Sequence, residues 1–393
     1  MAWSTWAAHL HLVFAAAVAA AFITVGAADG NGSQWLYPDG AAMQNLKAGL
    51  ELPAGSPLRE DWESKNYTCE WEGVWCDEGG RVSKMDIVGC SGKGGLTTEG
   101  LGELTHLREL HGDGNLLTYI DLEVFRKLSQ LQVVSLDNSP NLVMWTIPES
   151  LKTARILTHF SAPGCNLTGP IPEFLTGDTF PALRRLSLEG NKFSGIIPSD
   201  LPPTLVTLGL SGQTADYRAL MGEIPDGLSR LTSLKELLLD GNSLTGPVPE
   251  SLGTIRSLEQ VILSYNNLSG TIPPAIANLT NLMRLDLSGN QLTGEIPHDL
   301  SRLASLQMFH ADDNSLTGPV PEWLANISSL QYVSLAGNNL TGPIPPAITR
   351  STSLRQIDLS HNEMLCGGVP PGGNNINVLT FGIPNINKPC PVG

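Results

Sequence analysis

From Leu231 to Asn362 the apolar positions return on a fixed beat of twenty-four residues. Leu231, Leu234, Leu237 and Leu239 lead to Asn242, and Leu279, Leu282, Leu285 and Leu287 lead to Asn290. The asparagines Asn242, Asn266, Asn290, Asn314, Asn338 and Asn362 mark the beat without a gap. After each except the last comes an apolar residue two positions on, then Thr/Ser-Gly-x-Ile/Val-Pro, as in Leu292-Thr293-Gly294-Glu295-Ile296-Pro297. The spacing of Leu285 and Leu287 predicts a short strand with both leucines inward and Asp286 outward. One such coil cannot bury its own apolar side, so neighbours must stack and the inward leucines become a continuous core. The asparagine falls where the chain leaves the strand, and its amide can both donate to and accept from backbone groups that the turn leaves unpaired. Gly and Pro then shape the return path.

The pattern is that of the leucine-rich repeat, Leu-x-x-Leu-x-Leu-x-x-Asn/Cys-x-Leu. About twelve coils fit between Val82 and Asn362, with Cys90, Asn115, a blurred position near Ser139, Cys165, Asn191 and Gln213 in the asparagine slot ahead of the six regular ones. Cys90 and Cys165 lie three coils apart. At about 4.8 Å per strand that is about 14 Å, whereas a disulfide needs Cα atoms within about 7 Å. Two buried free thiols are expected. Two coils are irregular: one runs long from Asn138 to Trp145, and the other carries five extra residues between Gln213 and Leu220, among them Asp216, Tyr217 and Arg218. Such insertions either contribute to binding or are tolerated drift in length.

The remaining segments read differently. Residues 1–28 contain no Lys, Arg, Asp or Glu, and an apolar run from Leu12 to Val25 leads to Gly26-Ala27-Ala28. This suits a cleaved secretion signal, the run being short against the about 20 residues of a membrane span. Residues 29–81 are expected to form an N-terminal cap, 82–365 the repeats and 366–393 a C-terminal tail. In the cap, Met43, Leu46 and Leu50 share one face of a helix over Ala41–Leu52, followed by Leu58, Trp62 and the run Cys69-Glu70-Trp71-Glu72-Gly73-Val74-Trp75-Cys76. A Cys69–Cys76 disulfide fits a secreted chain, with a metal pair as the alternative. A bridge between Cys366 and Cys390 would tie the tail over the other end of the solenoid, whose strand edge and core leucines need cover.

The stretch "LREDWESKNYTCEWEGVWCDEGGRVSKMDI" resembles the N-terminal cap of plant-type extracellular leucine-rich-repeat proteins, and "LTGPIP", "LSGTIP" and "LTGEIP" are similar to that family's convex signature. The family includes receptor-like kinases, receptor-like proteins and soluble polygalacturonase inhibitors. The resemblance implies an α/β fold: a right-handed solenoid with a concave parallel β-sheet, short helical turns opposite, and paired cysteines closing the repeats. No transmembrane helix or kinase domain follows the repeats in this sequence, so membrane signalling by this chain alone is not expected.

Composition narrows the function further. The 393 residues carry 23 Lys+Arg against 38 Asp+Glu, a formal charge of −15. Nucleic acid and anionic membrane surfaces suit that balance poorly. His111-Gly112-Asp113 and His310-Ala311-Asp312 each place a His and an Asp outward on a strand, but eight coils apart, about 40 Å. With no phosphate loop, zinc spacing or nucleophile elbow, neither an enzyme nor a cofactor or metal is expected. Binding is. Outward strand positions line up in columns along the concave sheet and give His111, Asp113, Asp137, Glu189, Asp240, Tyr265, Asp286, His310, Asp312 and Asp358. This acidic stripe, with Arg184, Arg185, Lys235, Arg284 and Arg355 just upstream, would steer a basic protein or peptide; simple solvation is the bland alternative.

Sequons stand at Asn31, Asn66, Asn166, Asn267, Asn278, Asn326 and Asn339. Those within the repeats avoid the concave strands, so glycans there would leave that face open. The expectation is a secreted glycoprotein of the cell wall or apoplast. Its concave sheet would recognise an extracellular protein or peptide, in signalling, defence or inhibition of a wall-degrading hydrolase. The rivals are a truncated receptor ectodomain acting with a membrane receptor-like kinase, and a structural wall glycoprotein.

Overall fold

A computed structural model describes residues 39–213, 219–372 and 376–390. The proposed signal at residues 1–28, the sequon Asn31 and the inserted Asp216, Tyr217 and Arg218 lie outside these residues. The described coils stack as the repeat requires. One sheet of fourteen strands runs the length of the solenoid. Its first strand, Val74–Cys76 in the cap, pairs antiparallel with Val82–Asp86, and every later pairing is parallel. The inward residues keep register across the regular coils, Leu237 against Val261, Leu285, Phe309, Val333 and Ile357. All six are 2% exposed or less, in one core that runs from the cap to the tail.

The asparagine column is the second structural line. Asn266 Nδ2 donates to the carbonyl of Leu239 in the preceding coil (3.0 Å) and to Leu263 and Ser264 in its own, while its Oδ1 accepts from Leu244 N–H at 3.0 Å. Asn290, Asn314, Asn338 and Asn362 repeat the arrangement. Gln213 does the same work with a longer arm, donating to Leu188 O and accepting from Phe193 N–H. At Asn242 the donor half holds, Nδ2 reaching Leu210 O and Leu239 O at 3.0 Å, while its buried Oδ1 has no partner among the described residues. The coil before it is the one lengthened after Gln213.

The convex side follows from the Ile/Val-Pro step. Pro225, Pro249, Pro273, Pro297 and Pro321 sit extended at the entry of short 3-10 turns, Asp226–Arg230 through Glu322–Asn326, each sending an aliphatic residue such as Leu252 or Ile276 into the core. Between asparagine and proline the chain is straighter than expected. Met221–Glu223, Ser243–Pro247, Asn267–Thr271, Gln291–Glu295 and Ser315–Thr317 form a second parallel sheet along one flank. Each of these five stretches carries a glycine at positive φ, within the strand at Gly222, Gly246, Gly270 and Gly294 (the last two at φ 77°) and just after it at Gly318.

At the N-terminus a helix, Gly40–Leu50, buries Met43, Leu46 and Leu50. The Trp62 and Trp71 rings stack beside it at 4.9 Å. Asp39 fastens the cap to the first coil by accepting from Arg81 and from Val82 N–H at 2.7 Å. Cys69 and Cys76 are bonded, as are Cys366 and Cys390. The tail adds a strand of its own, Asn377–Leu379, parallel to Gln356–Asp358, which the sequence pattern had not predicted.

The Asn266→Ala variant strands the buried Leu244 N–H and three carbonyl contacts, each fully orphaned group worth about 1–3 kcal/mol. We expect about 3 kcal/mol of lost stability in urea melts, with faster amide exchange concentrated in the coils either side. Uniform exchange over the whole chain would contradict the column's role.

Candidate functional site

Strand alternation sets three outward columns on the concave sheet. Ahead of the first inward residue stand Lys84, Glu109, Val133, His159, Arg185, Thr207, Glu236, Gln260, Arg284, Met308, Tyr332 and Gln356. Four of the expected site residues, His111, Asp286, His310 and Asp358, belong to the central column, and Asp113, Asp137, Glu189, Asp240 and Asp312 to the third. Tyr265 belongs to none. It holds the left-handed turn slot (φ 54°) that Gly241, Gly289 and Gly337 fill in other coils, and its ring leans over Gly289.

The expected acidic stripe is therefore corrected in kind. Most of its carboxylates are committed to neighbours in the sheet rather than presented freely. Asp113 Oδ1 accepts from the Ser135 hydroxyl at 2.6 Å and from Asp137 N–H. Asp137 accepts from the Ser161 hydroxyl at 2.6 Å, Asp240 from Ser211 and Asp312 from Ser288. Asp358 accepts from Ser360 N–H, and His111 faces Glu109 at 3.3 Å. Burial and then the Asp113 charge push the Asp137 carboxyl up against these bonds. Asp286, 7% exposed, pairs with Arg284 at 3.1 Å and has His310 at 3.8 Å. Burial pushes Asp286 up, but His310, Ser288 and Arg284 outweigh it and hold it at about 2.

Two groups of expected residues come together separately. His111, Asp113 and Asp137 sit on successive strands near the cap. His310, Asp312 and Asp358 line a cleft of about 510 Å³ with Met308, Tyr332, Val333, Ser334 and Gln356. Ser334 gives the cleft its depth, a short side chain in register between His310 and Asp358. Tyr332 and Met308 were missed because only the cations of the column ahead of the first inward residue were weighed; in register the rest of it was as readable as the others. Among the described residues there is no group of three or more His, Cys, Asp or Glu placed to hold a metal.

The two free cysteines differ. Cys165 is fully buried, gives its thiol to Leu136 O at 2.9 Å and takes the asparagine role in the column, with burial pushing its pKa up to about 12. Cys90 is only half-buried, a correction to the expected pair of buried thiols. It sits in the first coil, where a cleft of about 610 Å³ between cap and solenoid reaches it past Leu58, Trp75 and Val88. Of the sequons, Asn66, Asn267, Asn278, Asn326 and Asn339 are exposed and off the concave sheet, Asn267 on the flanking one. Asn166 is half-buried, and its amide donates to Pro140 O and Leu142 O, bracing the long coil.

Comparison with known proteins accords with this architecture. Residues 36–77 match the leucine-rich-repeat N-terminal domain family, and residues 182–203, 233–255, 256–316 and 329–351 match leucine-rich-repeat families. Receptor-like kinase TMK2 of Arabidopsis thaliana is 34% identical over 232 residues, 52% of this chain and 25% of the relative. The ectodomain of the Arabidopsis receptor kinase HAESA, solved with an N-terminally extended IDA peptide hormone, superposes with a TM-score of 0.73 at 32% identity, covering 84% of this chain and 54% of that one. A PEPR1–AtPEP1 complex gives 0.63 at 28% identity, over 88% and 58%. The chain thus spans about a quarter of the kinase and just over half of the two solved chains.

Two outcomes follow from the protonation states. In the native protein a thiol reagent should modify Cys90, and Cys165 only after unfolding; equal rates would contradict the burial described. The depressed Asp286 pKa means its ion cluster stabilises the fold above about pH 4 and loses that contribution as pH falls through about 2. Asp286→Asn should therefore be less stable than the parent at pH 6, with the gap closing toward pH 2 in urea melts; a gap independent of pH would count against the cluster.

Proposed function

The chain is a leucine-rich-repeat protein similar to plant receptor ectodomains, and on that premise we propose that it is an extracellular recognition module whose concave sheet binds a peptide. The carrying observation is the sheet itself. A rigid, register-locked surface presents columns of varied side chains around an open cleft at Met308, Tyr332, Ser334 and Asp358. Exposed sequons stand elsewhere, so glycans would leave the face clear. Apolar ring and thioether, hydroxyl and carboxylate in one concavity suit a peptide side chain better than a reaction, which needs convergent groups. The HAESA ectodomain, which holds a peptide hormone, supports the choice of ligand class.

Secretion, and action either as a free binder or beside a membrane receptor kinase, belong to the same proposal. Among the described residues no helix is long and apolar enough to cross a membrane.

The test is a binding measurement on peptides captured from extracellular fluid by the purified protein. Ser334→Arg, which fills the cleft, should weaken the captured peptide at least about tenfold, while Thr293→Arg on the flanking sheet should not. Equal effects of both, or of neither, would overturn the placement.

A further inference from the structure

Four successive strands carry only small residues in the central concave column: Ser135, Ser161, Ser187 and Gly209. They make a shallow trough ahead of Leu238 and Ile262, which continue the column. At its end one carboxylate differs from all the others on this face. Glu189 folds back over Gly209, so closely that a Cβ at position 209 would collide with its Oε1. Its Oε2 is buried and has no hydrogen-bond partner among the described residues. Among the described residues no ion pair to it forms, although the Arg185 charge in the first column acts on it. Beside it Ser187, 4% exposed, also has an unpartnered hydroxyl. Burial, and the Asp137 and Asp240 charges on either side, push the Glu189 carboxyl up.

A carboxylate oxygen buried without a hydrogen bond is costly, and the Glu189 backbone N–H and the Arg185 charge offset only part of that cost. The neighbouring serines could have satisfied it as they satisfy Asp113 and Asp137, but Gly209 offers no side chain. The missing partner has a definite chemistry: a cationic N–H donor that fits among small residues and reaches both an anionic oxygen and a hydroxyl.

We propose that Glu189, seated over Gly209 beside Ser187, is the subsite for an ammonium or guanidinium group of the bound peptide. The inference deepens the peptide-recognition reading and rests on it. The group is a Lys or Arg side chain or the peptide's own N-terminal amine. Strands stand about 4.8 Å apart and an extended peptide advances about 3.3–3.6 Å per residue. A ligand residue two or three positions from the cation therefore falls on Leu238 and Ile262, where an apolar side chain fits.

Two measurements on the purified protein test this. The first is thermal stability in n-butylammonium or n-butylguanidinium chloride, against sodium chloride at equal ionic strength and n-butanol at equal concentration. The cations should raise the melting temperature of the parent but not of Glu189→Gln, with Ser187→Ala in between. Glu189→Gln itself should melt at or above the parent, because it removes a charge that burial disfavours; a large drop would make Glu189 structural and overturn the proposal. The second is an array of hexapeptides, free or N-acetylated, with Lys replaced by norleucine. Cationic peptides should lose about tenfold or more in affinity on Glu189→Gln, and acetylation or norleucine, whichever abolishes binding, identifies the source of the cation. Peptides that bind with no preference for cations, together with no effect of the small cations, would overturn the subsite and leave peptide recognition standing. Small cations acting through Glu189 while no peptide binds would do the reverse.

Discussion

Each coil of this molecule ends its strand in a turn whose backbone carbonyls and N–H groups face the core. Asn266, Asn290, Asn314, Asn338 and Asn362 satisfy them, each reaching back to the coil before it. That shared amide is the constraint on which the rest depends. It couples neighbours, so the inward leucines meet in register and the outward positions fall into straight columns. Without that register no surface of this length could present a defined face. The substitutes respect the same requirement: Gln213 reaches with a longer arm, and the thiol of Cys165 donates where an amide would.

The caps solve the problem that stacking creates. A solenoid of parallel strands ends in unpaired edges and exposed core. Here an antiparallel strand, the stacked Trp62 and Trp71, and the buried Asp39 close one end, while Asn377–Leu379 and the Cys366–Cys390 bridge stand at the other.

What could be foreseen from the chain alone follows this division. The leucine frame and the asparagine beat are local and periodic, so the strands, the core and the column were readable from spacing. Properties that depend on what stands in the next coil were not. That Asp137 accepts from Ser161, or that Glu189 lies over Gly209, depends on residues twenty or more positions away and on the register between coils. Cys90 shares its slot with Cys165, and only the cleft beside the cap makes it accessible. Asn166 carries a sequon, and its amide also braces the long coil before it. The flanking sheet was missed because its Thr-Gly-x stretches look like turn sequence until neighbouring coils pair them.

Taken together, the concave face is a mosaic rather than a stripe. Near the cap its acids are tied to serines; in the middle a small-residue trough meets an apolar step; toward the tail Asp286, Arg284 and His310 form an ion cluster beside the open cleft. Such variety along a rigid surface suits one extended ligand read at several points. The most direct measurement is hydrogen–deuterium exchange of the protein with and without a captured extracellular peptide. The account predicts protection confined to the concave strands between His159–Ser161 and Gln356–Asp358. Protection on the 3-10 turns or the flanking sheet, with the concave strands unchanged, would contradict it.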